Sequence, residues 1–169
     1  MNDFRYHISH NLGTLTAAGL FILMFGIYIG NHEAGLNPAV ATTAANKAVL
    51  LALVAMAQTL PVLTRGLDLS VGMIFVMANC LASAIVVGTI GEGLLGCVAV
   101  LAMGLIAGFI NGAIVVWGRL QPIITTLATG AIYYGLALWI RPSPGGDVQY
   151  DIADFITGQL FGTVPTALV

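Results

Sequence analysis

The chain has 169 residues, 59% of them hydrophobic and only 7% charged, with a net charge of −2. Soluble domains carry roughly 25% charged residues, so a soluble fold of this size lacks the charge to cover its surface, and the small net charge leaves no basic patch for nucleic acid. Lipid is the solvent that suits it, and there backbone polar groups must be satisfied inside helices or a closed barrel. The apolar runs are continuous rather than alternating, which selects helices over barrel strands. The expectation is an all-α polytopic membrane protein.

A bilayer-spanning helix takes roughly 20 apolar residues. By that measure the sequence predicts about five transmembrane helices, over residues 12–30, 43–63, 71–89, 94–117 and 122–140. The first is read as retained rather than cleaved, because "MNDFRYHISHNLG" has a single Arg and no Lys and the apolar core is long. Residues 31–39 form a candidate outer loop. His32 and Glu33 are adjacent there without a third ligand nearby, so no metal site is expected. Pro61 loosens the end of the second run.

The stretch "LTRGLDLSVG", residues 63–72, puts Arg65 and Asp68 between two charge-free runs. Gly66 permits a bend, Asp68 or Ser70 can cap the helix that begins near Val71, and Arg65 is spaced to pair with Asp68. Gly72 completes the motif. Two placements stay open. One is a capped turn at the cytoplasmic face with an interfacial ion pair; the other is a deeper break between half-helices, as in transporters that present polar groups near the midplane. An Asp at the bilayer centre costs at least about 2.5–3.5 kcal/mol unless paired or wetted.

In the fourth run Gly104, Gly108 and Gly112 recur every fourth residue, a spacing that suits close helix contact. Asn111 sits beside them. With Thr125, Thr126 and Thr129 of the fifth run it is a candidate lining for a solute path, since amides and hydroxyls both donate and accept. Cys80 and Cys97 lie inside spans and read as small core residues. Residues 141–158 are expected to be an external loop, punctuated by Pro142, Pro144, Gly145 and Gly146, and residues 159–169 to start a further apolar element. Arg5, Arg65 and Arg119 fall on one side of alternating spans, against Lys47 and Arg141, which places the N-terminus in the cytoplasm. No G-x-x-x-x-G-K-[ST] phosphate loop occurs, and all three His lie within the first 32 residues, far from any candidate nucleophile. A transport subunit without a catalytic site, cofactor or metal is therefore expected, not an enzyme.

"GLDLSVG", residues 66–72, resembles the "GIDLSVG" signature of the membrane permeases of ribose- and monosaccharide-type ABC importers. The resemblance extends through "AGFINGAIVVWGRLQPIITTLATGAIYYGLAL", residues 107–138, which looks like the family's G-x-x-N-G helix, basic turn and following helix. It departs at Arg65, Gln121 and Ile123. Such permeases are about twice as long, with roughly ten spans of bilayer length, so the resemblance implies the N-terminal half of a permease in the bacterial inner membrane. It further implies a second permease subunit, ABC ATPase subunits, a periplasmic sugar-binding protein, and a sugar or similar polyol as solute. The alternative is a fragment of an ion-coupled secondary transporter. That needs a titratable group inside the spans, and only Asp68 qualifies.

Overall fold

The computed structural model describes residues 11–32, 35, 37–160 and 164–165. Arg5 and Glu33, which entered the sequence reading, lie outside them. The chain divides into two compact units, residues 1–44 and 45–169.

The first unit holds helix α1 (Leu12–Asn31) and the start of α2 (Pro38–Leu63). None of the residues of α1 is buried. Its polar side chains return to their own helix: the Thr16 hydroxyl donates to the Leu12 carbonyl and the Asn31 amide to the Ile27 carbonyl. This is how isolated polar groups are tolerated in an apolar helix. The start of α2 precedes the expected residue 43. Asn37 accepts from the Val40 N–H at 2.8 Å, and Pro38 takes the first helical position, where a missing N–H costs nothing.

The second unit continues α2 and adds α3 (Val71–Ile85), α4 (Ile90–Gly118), α5 (Pro122–Ile140) and the short α6 (Tyr150–Thr157). Helix α3 packs mainly along α5 and secondarily on α4. Met77 of α3, Ala107 of α4, and Tyr133 and Ala137 of α5 form the buried cluster. Gly96 allows the α3–α4 approach, since a Cβ there would lie 2.7 Å from the Ile85 carbonyl oxygen. Most large apolar side chains point outward, Leu101 and Leu105 among them, as a lipid-facing surface requires.

Four helices, α1, α2, α4 and α5, are long and apolar enough to cross a membrane. The third expected span is corrected. Helix α3 has 15 residues rather than the run 71–89, and at roughly 1.5 Å per residue it reaches only about 22 Å, short of a hydrocarbon core of about 30 Å. It stops because Gly88, at φ 82, turns the chain into α4. Thr89 and Glu92 then form a capping box that starts α4 at Ile90, ahead of the expected residue 94.

Within the expected external loop 141–158, residues 150–157 form α6. The Gln149 side chain caps it by accepting from the Ile152 N–H, while the Gln149 backbone N–H donates to the Val86 carbonyl. Helix α6 rests on Gly93 of α4, where a Cβ would meet Ile152 Cδ1 at 2.6 Å. Arg141 closes the same end of α3: its Nη2 donates to the Ser83 carbonyl at 3.0 Å, a cation at a helix C-terminus. Its guanidinium lies against Gly146, which has φ 92 and no room for a Cβ. Residues 159–169 were expected to begin an apolar element. Among them, β1 (Gln159–Leu160) pairs antiparallel with β2 (Val164–Pro165).

Candidate functional site

Helix α2 ends in a two-bond C-terminal motif. Gly66 N–H donates to the Pro61 carbonyl at 2.9 Å and Arg65 N–H to the Val62 carbonyl at 3.0 Å. The left-handed residue this motif requires is Arg65, at φ 60. Gly66 was expected to supply the bend, but it is not in the left-handed region. It supplies proximity instead, since a Cβ there would sit 3.4 Å from Pro122 Cγ.

The chain then runs inward, held by one side chain after another. With its amide turned so that both groups find partners, Gln58 of α2 accepts from the Asp68 N–H at 3.3 Å and donates to the Asp68 carbonyl at 3.1 Å. Thr126 Oγ1 of α5 accepts from the Leu69 N–H at 2.9 Å. Asp68 Oδ1 accepts from both the N–H and the hydroxyl of Ser70, at 2.8 and 2.6 Å. Ser70 is fully buried. Its hydroxyl accepts from Asn111 Nδ2 at 2.6 Å. The Tyr133 hydroxyl donates to the Ala107 carbonyl at 3.0 Å and lies 3.3 Å from Asn111 Oδ1. A continuous polar chain therefore links Asp68 through Ser70 and Asn111 to Tyr133.

Two expectations are corrected here. The Arg65–Asp68 pair does not form: Arg65 is exposed, and both side-chain bonds of Asp68 go to Ser70. Left-handed backbone at residue 65 carries that side chain outward while the turn folds in. Ser70 stands at the N-cap of α3 without a side-chain capping bond. Asp68 does the capping, from two residues earlier.

The depth of the turn follows from its neighbours. Gly66 meets Pro122 at the start of α5, Leu69 meets Thr126, and Ser70 lies against Gly130. At roughly 1.5 Å per residue, Gly130 is about 12 Å from the start of α5 and about 15 Å from its end. Asn111 is similarly about 10 Å inside the end of α4. Ser70 thus sits level with the middle of a spanning helix.

The Gly104/Gly108/Gly112 stripe is not a helix contact among the described residues. A Cβ at any of the three meets nothing within 4 Å. The face of α4 that does pack carries Gly93, Gly96, Ala107 and Asn111. The stripe is rotated away from it, and Gly108 and Gly112 instead line a cleft of about 350 Å³ together with Leu60, Thr64, Asp68 and Asn111. Of the four expected path residues, Asn111 and Thr126 line this cleft and Thr125 and Thr129 do not. All four are buried. The Thr126 and Thr129 hydroxyls also donate back to their own helix, to Pro122 and Thr125. A Cβ at Gly72 also meets nothing. Gln58 and Tyr133 are the site residues that sequence reasoning missed. Gln58 stands beside Thr59 and Tyr133 beside Tyr134, each pair within an apolar run, which was the available signal.

The ends of the second unit differ in charge. Arg65 and Arg119 flank the Gly66–Pro122 contact, while Lys47, Arg141, Glu92, Asp147, Asp151 and Asp154 belong to the end where α6 and Arg141 close the fold.

Apolar helices of spanning length around a buried polar turn define a multi-pass membrane protein. The family described as "Branched-chain amino acid transport system / permease component" matches residues 40–168, and the chain belongs to it. Among curated relatives, the autoinducer 2 import system permease protein LsrC of Shigella flexneri is 41% identical over 106 residues, covering 59% of this chain and 30% of that protein. LsrC of Photorhabdus luminescens is 33% identical over 140 residues, covering 77% of this chain and 41% of the relative. The chain thus spans less than half the length of the curated relatives it matches. No solved structure matches.

Proposed function

We propose that this chain is part of the permease subunit of an ABC importer that carries a sugar, similar polyol or sugar-derived solute across the bacterial inner membrane. In this reading it forms one section of a single transmembrane domain, with the N-terminus in the cytoplasm. It works with a second permease subunit, homo- or heterodimeric, with separate ABC ATPase subunits and with a periplasmic binding protein. The observation that carries the reading is the Asp68–Ser70–Asn111–Tyr133 chain, level with the middle of spanning helices whose own charged residues are Lys47 of α2 and Glu92 of α4. An importer driven from outside the membrane needs polar groups for its solute but no titrating pathway of its own.

The test is uptake of labelled D-ribose and of autoinducer 2 by cells expressing the full-length permease with its partner subunits. Uptake that requires the ATPase and survives collapse of the proton and sodium gradients supports the proposal. Uptake that stops when the gradients collapse, with ATP maintained, replaces it with an ion-coupled carrier.

A further inference from the structure

The cleft beside Asp68 is lined from the end of α2 and the start of α5 to the level of Asn111. Thr64, Gly66 and Pro122 line it where α2 stops and α5 starts; Asp68, Asn111 and Gly108 line it deeper in. Its outer end lies beside Arg65 and Arg119, and its inner end is level with Ser70 and hence with mid-span. The α4 wall is formed partly by Gly108 and Gly112, neither of which has an atom within 4 Å of where a Cβ would be.

Asp68 reaches this space with half its carboxylate uncommitted. Oδ1 takes both bonds from Ser70, and among the described residues no cation pairs with the group. A carboxylate at this level costs at least about 2.5–3.5 kcal/mol unless it is paired or wetted. Asp68 lines a cleft large enough for a small ligand, and water or a hydroxyl donor is what would satisfy its second oxygen.

We propose that this cleft is a water-filled half-path from the Arg65/Arg119 face to mid-membrane, ending at Asp68 as a hydrogen-bond acceptor for a neutral, hydroxyl-bearing solute. Asn111 and Tyr133 are positioning residues, which fix Ser70 and through it the Asp68 carboxylate. The solute class rests on the functional reading above; the aqueous path rests on geometry alone.

The experiment reads the path without transport. Gly108→Cys is made in a chain lacking Cys80 and Cys97, and a membrane-impermeant, negatively charged methanethiosulfonate is applied to membrane vesicles of each orientation. Gly108→Cys is expected to react from the Arg65/Arg119 side on the order of tenfold or more faster than Leu105→Cys, because a charged reagent is excluded from hydrocarbon. Adding Gly112→Leu, whose Cβ meets nothing within 4 Å, is expected to slow that reaction strongly. D-ribose or ribitol in the reaction is expected to slow it as well. Reaction no faster than at Leu105→Cys overturns the path and means protein or lipid fills the cleft. Fast reaction that neither polyol slows overturns the solute assignment and leaves the path standing. A wet path in a chain whose full-length permease fails the uptake test refutes the importer reading alone.

Discussion

Arg65 occupies a backbone position that glycine fills at most helix ends. Its φ of 60 carries the crowding of Cβ against the following carbonyl, and its side chain takes no part in the Asp68 chain. Arg65→Gly is therefore expected to stabilise the turn by about 0.5–1 kcal/mol, read as a higher melting temperature of the detergent-solubilised protein. A fall in stability would mean the guanidinium makes a contact that the exposed position hides. Asn111 is the opposite case. It donates to Ser70 and lies beside the Tyr133 hydroxyl in a buried site, so Asn111→Ala removes one bond to Ser70 and a polar neighbour of Tyr133, while each hydroxyl keeps its other partner, and is expected to cost about 0.5–1.5 kcal/mol. Unfolding in mixed micelles measures this, and an unchanged midpoint would show that the polar chain is not a structural tie. The motif 66–72 was legible as a turn from its residue types. Which residue took the left-handed conformation was not, because either Arg65 or Gly66 satisfies the local rule and the Gly66–Pro122 approach decides between them.

Among the elements, the two sets of glycines in α4 separate pattern from packing. Spacing pointed to Gly104, Gly108 and Gly112, yet the contact runs through Gly93 and Gly96. Gly96→Ala puts a methyl group against the Ile85 and Val86 backbone, which cannot retreat as a side chain would, and is expected to destabilise by about 1–3 kcal/mol. Gly108→Ala meets nothing and is expected to be neutral, or stabilising by up to about 1 kcal/mol from helix propensity. The same unfolding assay compares them, and equal losses would return the stripe to the packed face. The helix α5 was read to the residue, because Pro122 and Arg141 bracket an uninterrupted apolar run. The start of α4 was missed although "TIGE" carries a capping box, since the apolar count began after Glu92. Helix α6 was hidden by three Asp in a Pro- and Gly-rich segment. Its folding depends on Gln149 reaching Val86, a partner distant in sequence.

At the scale of the molecule, the membrane class was fully legible from composition, and the family from two motifs. The level of the turn was not. It depends on which residues of α4 and α5 stand beside Ser70, and a linear sequence holds no such register. In the second unit the Thr64 end and the Asp147 end lie at opposite ends of the spanning helices. Thr64→Cys and Asp147→Cys, each in a chain without Cys80 and Cys97, are expected to react with an impermeant maleimide from opposite faces of sealed vesicles. Labelling of both from one face would break this arrangement of spans. With Arg5 outside the described residues, the basic residues of this unit divide evenly between its ends. The labelling therefore also decides which end is cytoplasmic.

The turn at 68–70 has a consequence for time rather than for energy. Three successive backbone N–H groups are each claimed by a separate side chain: Asp68 by Gln58, Leu69 by Thr126, and Ser70 by Asp68 itself. Deuterium exchange requires such a bond to open before solvent can take the proton. These amides belong to three consecutive loop residues, yet their acceptors come from α2, α5 and the turn itself. Opening one loosens the others only when the surrounding helices part. In heavy water the segment is expected to exchange as slowly as the middle of α5, while the glycines of the 142–146 loop exchange at once. A loop that keeps its protons beside a wet cleft is a fixed part of the wall, and slow exchange there would time the separation of the helices rather than the arrival of water.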